Sequence, residues 1–336
     1  MRKGIYSEIN VSIVIPVYCG EFSLPNLVSE ICESMHCLGL GKKFEIILVN
    51  DASPDKSWAV IESLAARFTF LRGICLSQNV GQHNAIMAGL REAEGEIVVL
   101  MDDDLQHPPA MLGRLIDAIE EGFDVCYTQY KRRRHPLWKK LGSRFSGWVA
   151  NHLLDKPMDL YLSSFKAIHR RTVNQIKRYQ GAFVYIDGLI LESTNNITCV
   201  PIDHQARRYG ESQFGIRKSI SLWLKMATGF SIAPIRVAAI MGGVLIGAAV
   251  ILSILLVMRG LLGSASEIGC MWVAALIVLL SGIQLLMLGV VGEYVGRSYL
   301  SINKKPQYSI KKMIGKVPGK RWCITQSQYD KTFRER

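Results

Sequence analysis

The sequence predicts an α/β protein, a doubly wound parallel sheet with helices on both faces, followed by two transmembrane helices. Three observations predict it. Short β-rich runs alternate with helical patterns across residues 11–121, polar residues gather behind each run, and two long apolar stretches occupy 237–258 and 268–292.

The first run, VSIVIPV (11–17), precedes a helical pattern over 24–38. FEIILVND (44–51) precedes one over 56–68, LRGICLS (71–77) one over 82–93, and EIVVLMD (96–102) one over 109–121. Near-continuous Val, Ile and Leu suits strands covered on both faces, and strand-helix alternation suits a parallel sheet. Such sheets bind ligands beyond the carboxyl ends of their strands. There the chain places Pro16, Tyr18 and Glu21, then Asn50, Asp51 and Ser53, then Gln78, Asn79 and Gly81, and last Asp102, Asp103 and Asp104. A turn explains any one of these clusters, whereas four on one edge of one sheet point to a site. Three consecutive carboxylates repel one another, and a divalent cation offsets that repulsion while bridging a diphosphate. No GxGxxG or GxxxxGK[ST] pattern supports a dinucleotide fold or a P-loop kinase.

Residues 237–258 carry no charge, and Gln284 is the strongest polar interruption in 268–292. Each stretch exceeds the roughly 20 residues that cross a bilayer as a helix. Arg217, Lys218, Lys225 and Arg236 precede the first stretch, and Arg297, Lys304, Lys305, Lys311 and Lys312 follow the second. The linker 259–267 holds one basic residue, Arg259. The positive-inside rule then puts both ends in the cytoplasm and the linker outside. The expected organisation is a cytoplasmic domain over 1–213, an interfacial helix over 214–236, the two spans, and a basic cytoplasmic tail over 293–336 without clear period. Small residues in both spans (Gly242, Gly243, Gly247; Gly282, Gly289, Gly292) permit close helix contact and suggest a homo-oligomer.

The chain has 336 residues, 40 basic against 28 acidic, and a net charge of +12, which calls for an anionic partner. Its eight cysteines show no CxxC or metal spacing and read as reduced thiols. The start, MRKGIYSEIN, lacks the apolar region of a signal peptide, so the first domain is expected to stay unexported. YKRRRHPLWKKLGSRFSGW (130–148) interleaves Lys and Arg with Trp138, Phe145 and Trp148. In a chain with two spans, this and 214–234 read as interfacial helices on anionic lipid rather than a nucleic-acid surface.

SIVIPVYCGEFSLPNL, ILVNDASPDKSW, NVGQHNAIMAGL, MDDDLQHPP, RRYGESQF and GEYVGRSY resemble, in order, the signature blocks of family-2 glycosyltransferases of the polyprenyl-phosphate type. That group includes bacterial undecaprenyl-phosphate transferases of the aminoarabinose and O-antigen glucosyl types and is related to dolichyl-phosphate mannose synthase. The resemblance runs from about Val11 to Tyr308. It implies a GT-A (Rossmann-like) fold at the bacterial inner membrane that moves one sugar, with inversion, from a nucleotide diphosphate, uridine being the commonest base, to undecaprenyl phosphate.

By the same resemblance Asp102 and Asp104 form the D-x-D block, with Asp104 the foremost Mg²⁺ or Mn²⁺ ligand and Asp103 in its middle position. Pro16, Tyr18 and Glu21 line the nucleotide, Asp51 reads the base with Asn79 and Gly81 nearby, and Gln82 and His83 face the diphosphate or sugar. Arg207 receives the acceptor phosphate, helped by Arg208, Ser212, Arg217 and Lys218. Two positions depart from the pattern. Ser163 and Ser164 stand where relatives often carry an acid, for which Asp159 is the substitute, and Gln213 replaces a frequent Lys. A tetramer is one assembly this reading allows.

A phosphate acceptor is already anionic and needs no strong base, so the protein must gather two anions, aim one oxygen and stabilise the leaving diphosphate. A guanidinium fork matches phosphate geometry. Two other readings compete. A processive polysaccharide synthase would need a longer helix bundle and a Q-x-x-R-W block, and a non-catalytic nucleotide-binding scaffold would bind without turnover.

Overall fold

In the computed structural model the described residues are 9–41, 43–130, 162–181, 184–202, 268–302 and 306–317, with 240, 242–245, 247–248, 250–251, 254–255, 258, 320–321 and 324–325. The four sequence-predicted strands form as β1 (Val11–Val17), β2 (Phe44–Asn50), β3 (Leu71–Leu76) and β4 (Ile97–Leu100). They are mutually parallel in the order β3-β2-β1-β4. The helices between them are α1 (Leu24–Cys37), α2 (Ser57–Arg67) and α3 (Gln82–Glu92), and a 3₁₀ turn at Pro109–Met111 leads into α4 (Leu112–Glu120).

The pleat sorts β1 between two apolar layers. Ile13 and Ile15 pack with Leu24, Leu27 and Ile31 of α1 and Leu112 and Leu115 of α4, while Val14 joins Ala85, Ile86 and Leu90 of α3. A Cβ on Gly89 would lie 2.3 Å from Val14 Cγ1, so glycine lets α3 seat against β1. Helix α1 ends in a Schellman motif, with Leu40 N–H on Met35 O (3.1 Å) and Gly39 at φ 70°.

The expectation of a wholly parallel sheet is corrected. Beyond β4 the sheet continues through β6 (Lys166–His169), β5 (Val125–Tyr130) and β7 (Ile197–Ile202), and β6 is antiparallel to both β4 and β5. Helices α5 (Arg170–Ile176) and α6 (Ile186–Ser193) cover this side. The reason is connectivity: β6 follows β5 after the long 131–161 segment and enters beside β4 from the opposite end.

Helix α7 spans Ile268–Ile302, longer than the expected span 268–292. Its window Leu279–Gly296 is the one segment among the described residues long and apolar enough to cross a membrane. The described residues between 240 and 258 are helical, with Ile240, Val244, Ile251 and Leu255 exposed.

Part of the basic tail, for which the sequence shows no clear period, is a strand. Residues Ile310–Ile314 form β8, antiparallel to β3, with Ile310 and Met313 buried and Lys311 and Lys312 exposed. It is followed by β9 (Lys316–Val317) and β10 (Lys320–Arg321), then β11 (Ile324–Thr325) on β8, completing a nine-stranded sheet among the described residues. Just before β8, buried Gln307 donates to the carbonyls of Tyr179 (3.1 Å) and Gly181 (2.8 Å) and accepts from Arg91 (3.0 Å). Ser77 N–H donates to Ser309 O at 2.8 Å. The chain beyond α7 is thereby fastened to the first domain.

Candidate active site

The carboxyl ends of β1 to β4 bring together every sequence-predicted donor residue from Pro16 to Asp104. Pro16 sits in β1 opposite Val49, past Val14, the last β1 residue paired to β4, so its missing N–H interrupts no ladder on that side. Tyr18 follows, 40% exposed, and its N–H reaches Asp103 Oδ2 at 3.3 Å. A Cβ on Gly20 would lie 2.6 Å from the same oxygen, so a side chain there would displace the Asp103 carboxylate. Glu21 Oε2 accepts the Lys56 N–H at 2.9 Å, so this carboxylate also fixes the start of α2.

Asp51 is buried, and its two oxygens accept from the N–H groups of Val80 (2.8 Å) and Gly81 (2.9 Å). Burial raises its pKa and these two bonds pull it back. Asn79 Nδ2 donates to Asp51 O at 3.3 Å. The pair of strands β2 and β3 is thus tied into one rim, and each Asp51 oxygen keeps a lone pair for a ligand. Gly81, at φ 88°, caps α3, whose amino terminus faces this edge and favours an anion.

Gln82 and His83 open α3. Gln82 Nε2 donates to Asp102 Oδ1 at 2.6 Å. His83 Nδ1 accepts the Ile186 N–H at 3.5 Å, and the ring meets Tyr185 edge-on at 5.0 Å. Burial lowers the His83 pKa to about 4 against the pull of Asp187. The neutral ring then carries its proton on Nε2.

The three aspartates occupy distinct settings. Burial opposes charge on Asp102, but the His107 ring, the Ser164 hydroxyl and the Lys166 ammonium outweigh it and hold the carboxyl below its usual range. His107 Nε2 lies 3.8 Å from Asp102 Oδ2 and 3.0 Å from Ser164 Oγ. Asp103 is pushed up to about 7 by burial and by Asp102, with Asp104 adding to it. Asp104 Oδ1 accepts the Gln106 N–H at 3.1 Å. Cys19, Ala52 and Leu105 all have positive φ (58°, 50° and 57°), the three non-glycine cases among the described residues, and each lies in a loop of this rim. Left-handed non-glycine backbone costs about 1–3 kcal/mol and gathers where function dictates shape.

The donor set fits Mg²⁺ or Mn²⁺ in one respect. Among the described residues no group of three or more His, Cys, Asp or Glu gathers as a metal cage. Magnesium-type ions need less: one or two carboxylates suffice when phosphates and water complete the shell. Asp102 and Asp104 offer hard oxygens alone, in a crowd of like charge.

Beneath the rim is a group that the sequence reading did not select. Lys166 is buried and paired with Asp187 Oδ1, which also accepts the Tyr127 hydroxyl at 2.9 Å. Of the sequence-predicted residues, Asp159, Arg207, Arg208, Ser212, Arg217 and Lys218 lie outside the described residues, as do most of 130–148 and all of 214–234.

A model of the family described as Glycosyl transferase family 2 matches residues 12–191. The undecaprenyl-phosphate 4-deoxy-4-formamido-L-arabinose transferase of Proteus mirabilis (strain HI4320) is 32% identical over 325 residues, 94% of this chain and 98% of that protein. The transferase of the same name from Aeromonas hydrophila is 33% identical over 90% of this chain and 94% of that protein. Among solved structures, S. aureus TarS 1-349 in complex with UDP-GlcNAc aligns with a TM-score of 0.46 and 17% identity over 66% of each chain. Glucosyl-3-phosphoglycerate synthase from Mycobacterium tuberculosis gives 0.46 and 16%, over 66% of this chain and 78% of that one.

Proposed function

Because the chain belongs to glycosyl transferase family 2, we propose that it transfers a single sugar from a nucleotide diphosphate to undecaprenyl phosphate at the cytoplasmic face of a bacterial inner membrane. The carrying observation is the full-length likeness to the Proteus mirabilis transferase, which covers 94% of this chain and so extends past the family match into the apolar segments. The mixed α/β sheet is the GT-A-like arrangement of the family. The sugar named for those relatives, 4-deoxy-4-formamido-L-arabinose, is the first to test.

The chemistry follows from the rim. Pro16, Tyr18 and the Asp51 loop with Asn79 and Gly81 form the nucleotide side, with Glu21 fixing its outer edge. Asp102 and Asp104 would hold Mg²⁺ or Mn²⁺, which when bound supplies positive charge to the departing diphosphate. Gln82 holds Asp102, the amino terminus of α3 adds partial positive charge, and Asp103 keeps the Tyr18 loop against the carboxylates. An acceptor phosphate oxygen attacks the anomeric carbon opposite the diphosphate. One C–O bond forms as the other breaks, the configuration inverts, and no proton has to be removed. Arg207, with Arg208, Ser212, Arg217 and Lys218, is assigned to the acceptor phosphate, and Asp159 to its neighbourhood. Anionic lipids would attract the basic 130–148 segment.

The test is transfer of labelled sugar from UDP-4-deoxy-4-formamido-L-arabinose, UDP-glucose or UDP-GlcNAc to undecaprenyl phosphate by the purified chain with Mg²⁺ or Mn²⁺. One sugar per lipid is expected. No lipid-linked label from any donor overturns the reading, and chains of sugar would instead indicate a processive synthase.

A further inference from the structure

Asp187, Lys166 and Tyr127 come from three separate elements, α6, β6 and β5, yet form one buried cluster. Asp187 is 8% exposed and stands in the first turn of α6. Its Oδ1 receives both the Tyr127 hydroxyl and the Lys166 ammonium, which also lies 4.9 Å from the Tyr127 ring centroid. Its Oδ2 receives no donor among the described residues. The cluster adjoins the site. Lys166 pairs with Leu100, two residues before Asp102, and the two residues preceding Asp187 hold His83, Tyr185 by its ring and Ile186 by its N–H.

A carboxylate buried this close to a diphosphate site repels the donor unless its charge is matched, and Lys166 matches it. Two protein donors on one oxygen also fix the orientation of the group and leave the other oxygen as an acceptor. Beside it, His83 uses Nδ1 as an acceptor, which makes Nε2–H a donor. An acceptor and a donor on neighbouring residues suit a sugar substituent that both gives and takes a hydrogen bond, a hydroxyl pair or a formamido group. They do not suit a phosphate, which only accepts at its ionised oxygens.

Resting on the transferase reading above, we propose that Asp187 is a sugar-binding residue that helps set donor specificity: its Oδ2 accepts a hydrogen bond from the transferred sugar, with Tyr127 and Lys166 as its positioning residues. Sites built to hydrogen-bond a sugar polar group reject analogues that lack it strongly. No proton transfer is assigned to Asp187, because the phosphate acceptor has none to give.

The experiment measures binding rather than turnover. Dissociation constants for UDP, UDP-4-deoxy-4-formamido-L-arabinose, UDP-glucose and UDP-GlcNAc are compared by calorimetry on the full chain in detergent with Mn²⁺. In Asp187→Asn the ratio of sugar-nucleotide to UDP dissociation constants rises at least tenfold for the preferred sugar, with UDP itself within twofold of wild type. An unchanged ratio, or equal loss for UDP and UDP-sugar in a folded protein, overturns the proposal. If Asp187→Asn does not fold, Tyr127→Phe decides: it keeps both charges and loosens the carboxylate, so the ratio rises about threefold, and no change overturns the proposal. Failure of the wild type to glycosylate undecaprenyl phosphate, with the ratio still moving, removes the transferase reading and leaves this one.

Discussion

The Gln82 amide donates to Asp102 Oδ1 across 2.6 Å, joining the first residue of α3 to the second residue past β4. A hydrogen bond to a charged group contributes about 1.5–3 kcal/mol. Gln82 is exposed, so its loss changes the aim of Asp102 more than the stability of the fold. Gln82→Ala is expected to lower kcat/KM for the sugar nucleotide by roughly 10- to 100-fold, while the melting temperature stays close to wild type. Steady-state kinetics with a thermal melt check both halves.

Removing the cation should act through the same carboxylates. EDTA is expected to abolish transfer and Mn²⁺ or Mg²⁺ to restore it. Asp104→Asn should lower kcat by about 100-fold or more, given the several kcal/mol a metal contributes to leaving-group charge. Because one of three crowded charges disappears, the variant should melt no lower than wild type. A variant that turns over normally removes Asp104 from the metal site.

His83 makes a signed prediction for pH. Burial holds its folded pKa at about 4, below the ordinary 6.5. Between those values the unfolded chain binds a proton that the native ring refuses, so stability rises with pH. The contribution of neutral His83 is fully present above pH 6.5 and lost as pH falls toward 4, on the order of 1–3 kcal/mol. Melting curves from pH 4 to 7 should be flatter for His83→Gln, whose carbonyl can still accept the Ile186 N–H.

Asp51 should reveal how much of the rim depends on one carboxylate. Asp51→Ala leaves the Val80 and Gly81 N–H groups without their acceptor, which costs about 1–3 kcal/mol. UDP affinity should fall by at least tenfold as the loop loses its anchor. Calorimetry with UDP alone separates this from any effect on the sugar.

The parts legible in the sequence are those whose signal is local. VSIVIPV, FEIILVN and IVVL are near-continuous apolar runs, and they form the buried strands β1, β2 and β4. The polar residues behind them were readable as one edge because a parallel sheet puts all its carboxyl ends together. Strands β5 to β8 were not readable. KAIH and IKKMI are short and carry lysines, and their partners lie far away in the chain, so pairing rather than composition makes them strands. The same holds for Lys166, Asp187 and Tyr127, which become neighbours only once β5, β6 and α6 are packed. A lysine embedded in an apolar run, as in FKAI, is the one local sign of that cluster. His107 was within reach, inside the quoted MDDDLQHPP block, but nothing in the sequence marks it as the residue that holds Ser164.

Strands β7 and β8 belong to one hydrogen-bonded sheet, and the chain between them includes α7. A sheet cannot be divided by a bilayer, so residues 202 and 310 share one compartment and the traverses between them add up to an even number. On the proposed membrane reading α7 is one traverse and 203–267 supplies the other, for which the sequence offers the uncharged stretch 237–258. Ala265→Cys in a Cys270→Ser background should therefore react with an impermeant thiol reagent on intact cells, while Ser309→Cys stays protected until the cells are opened.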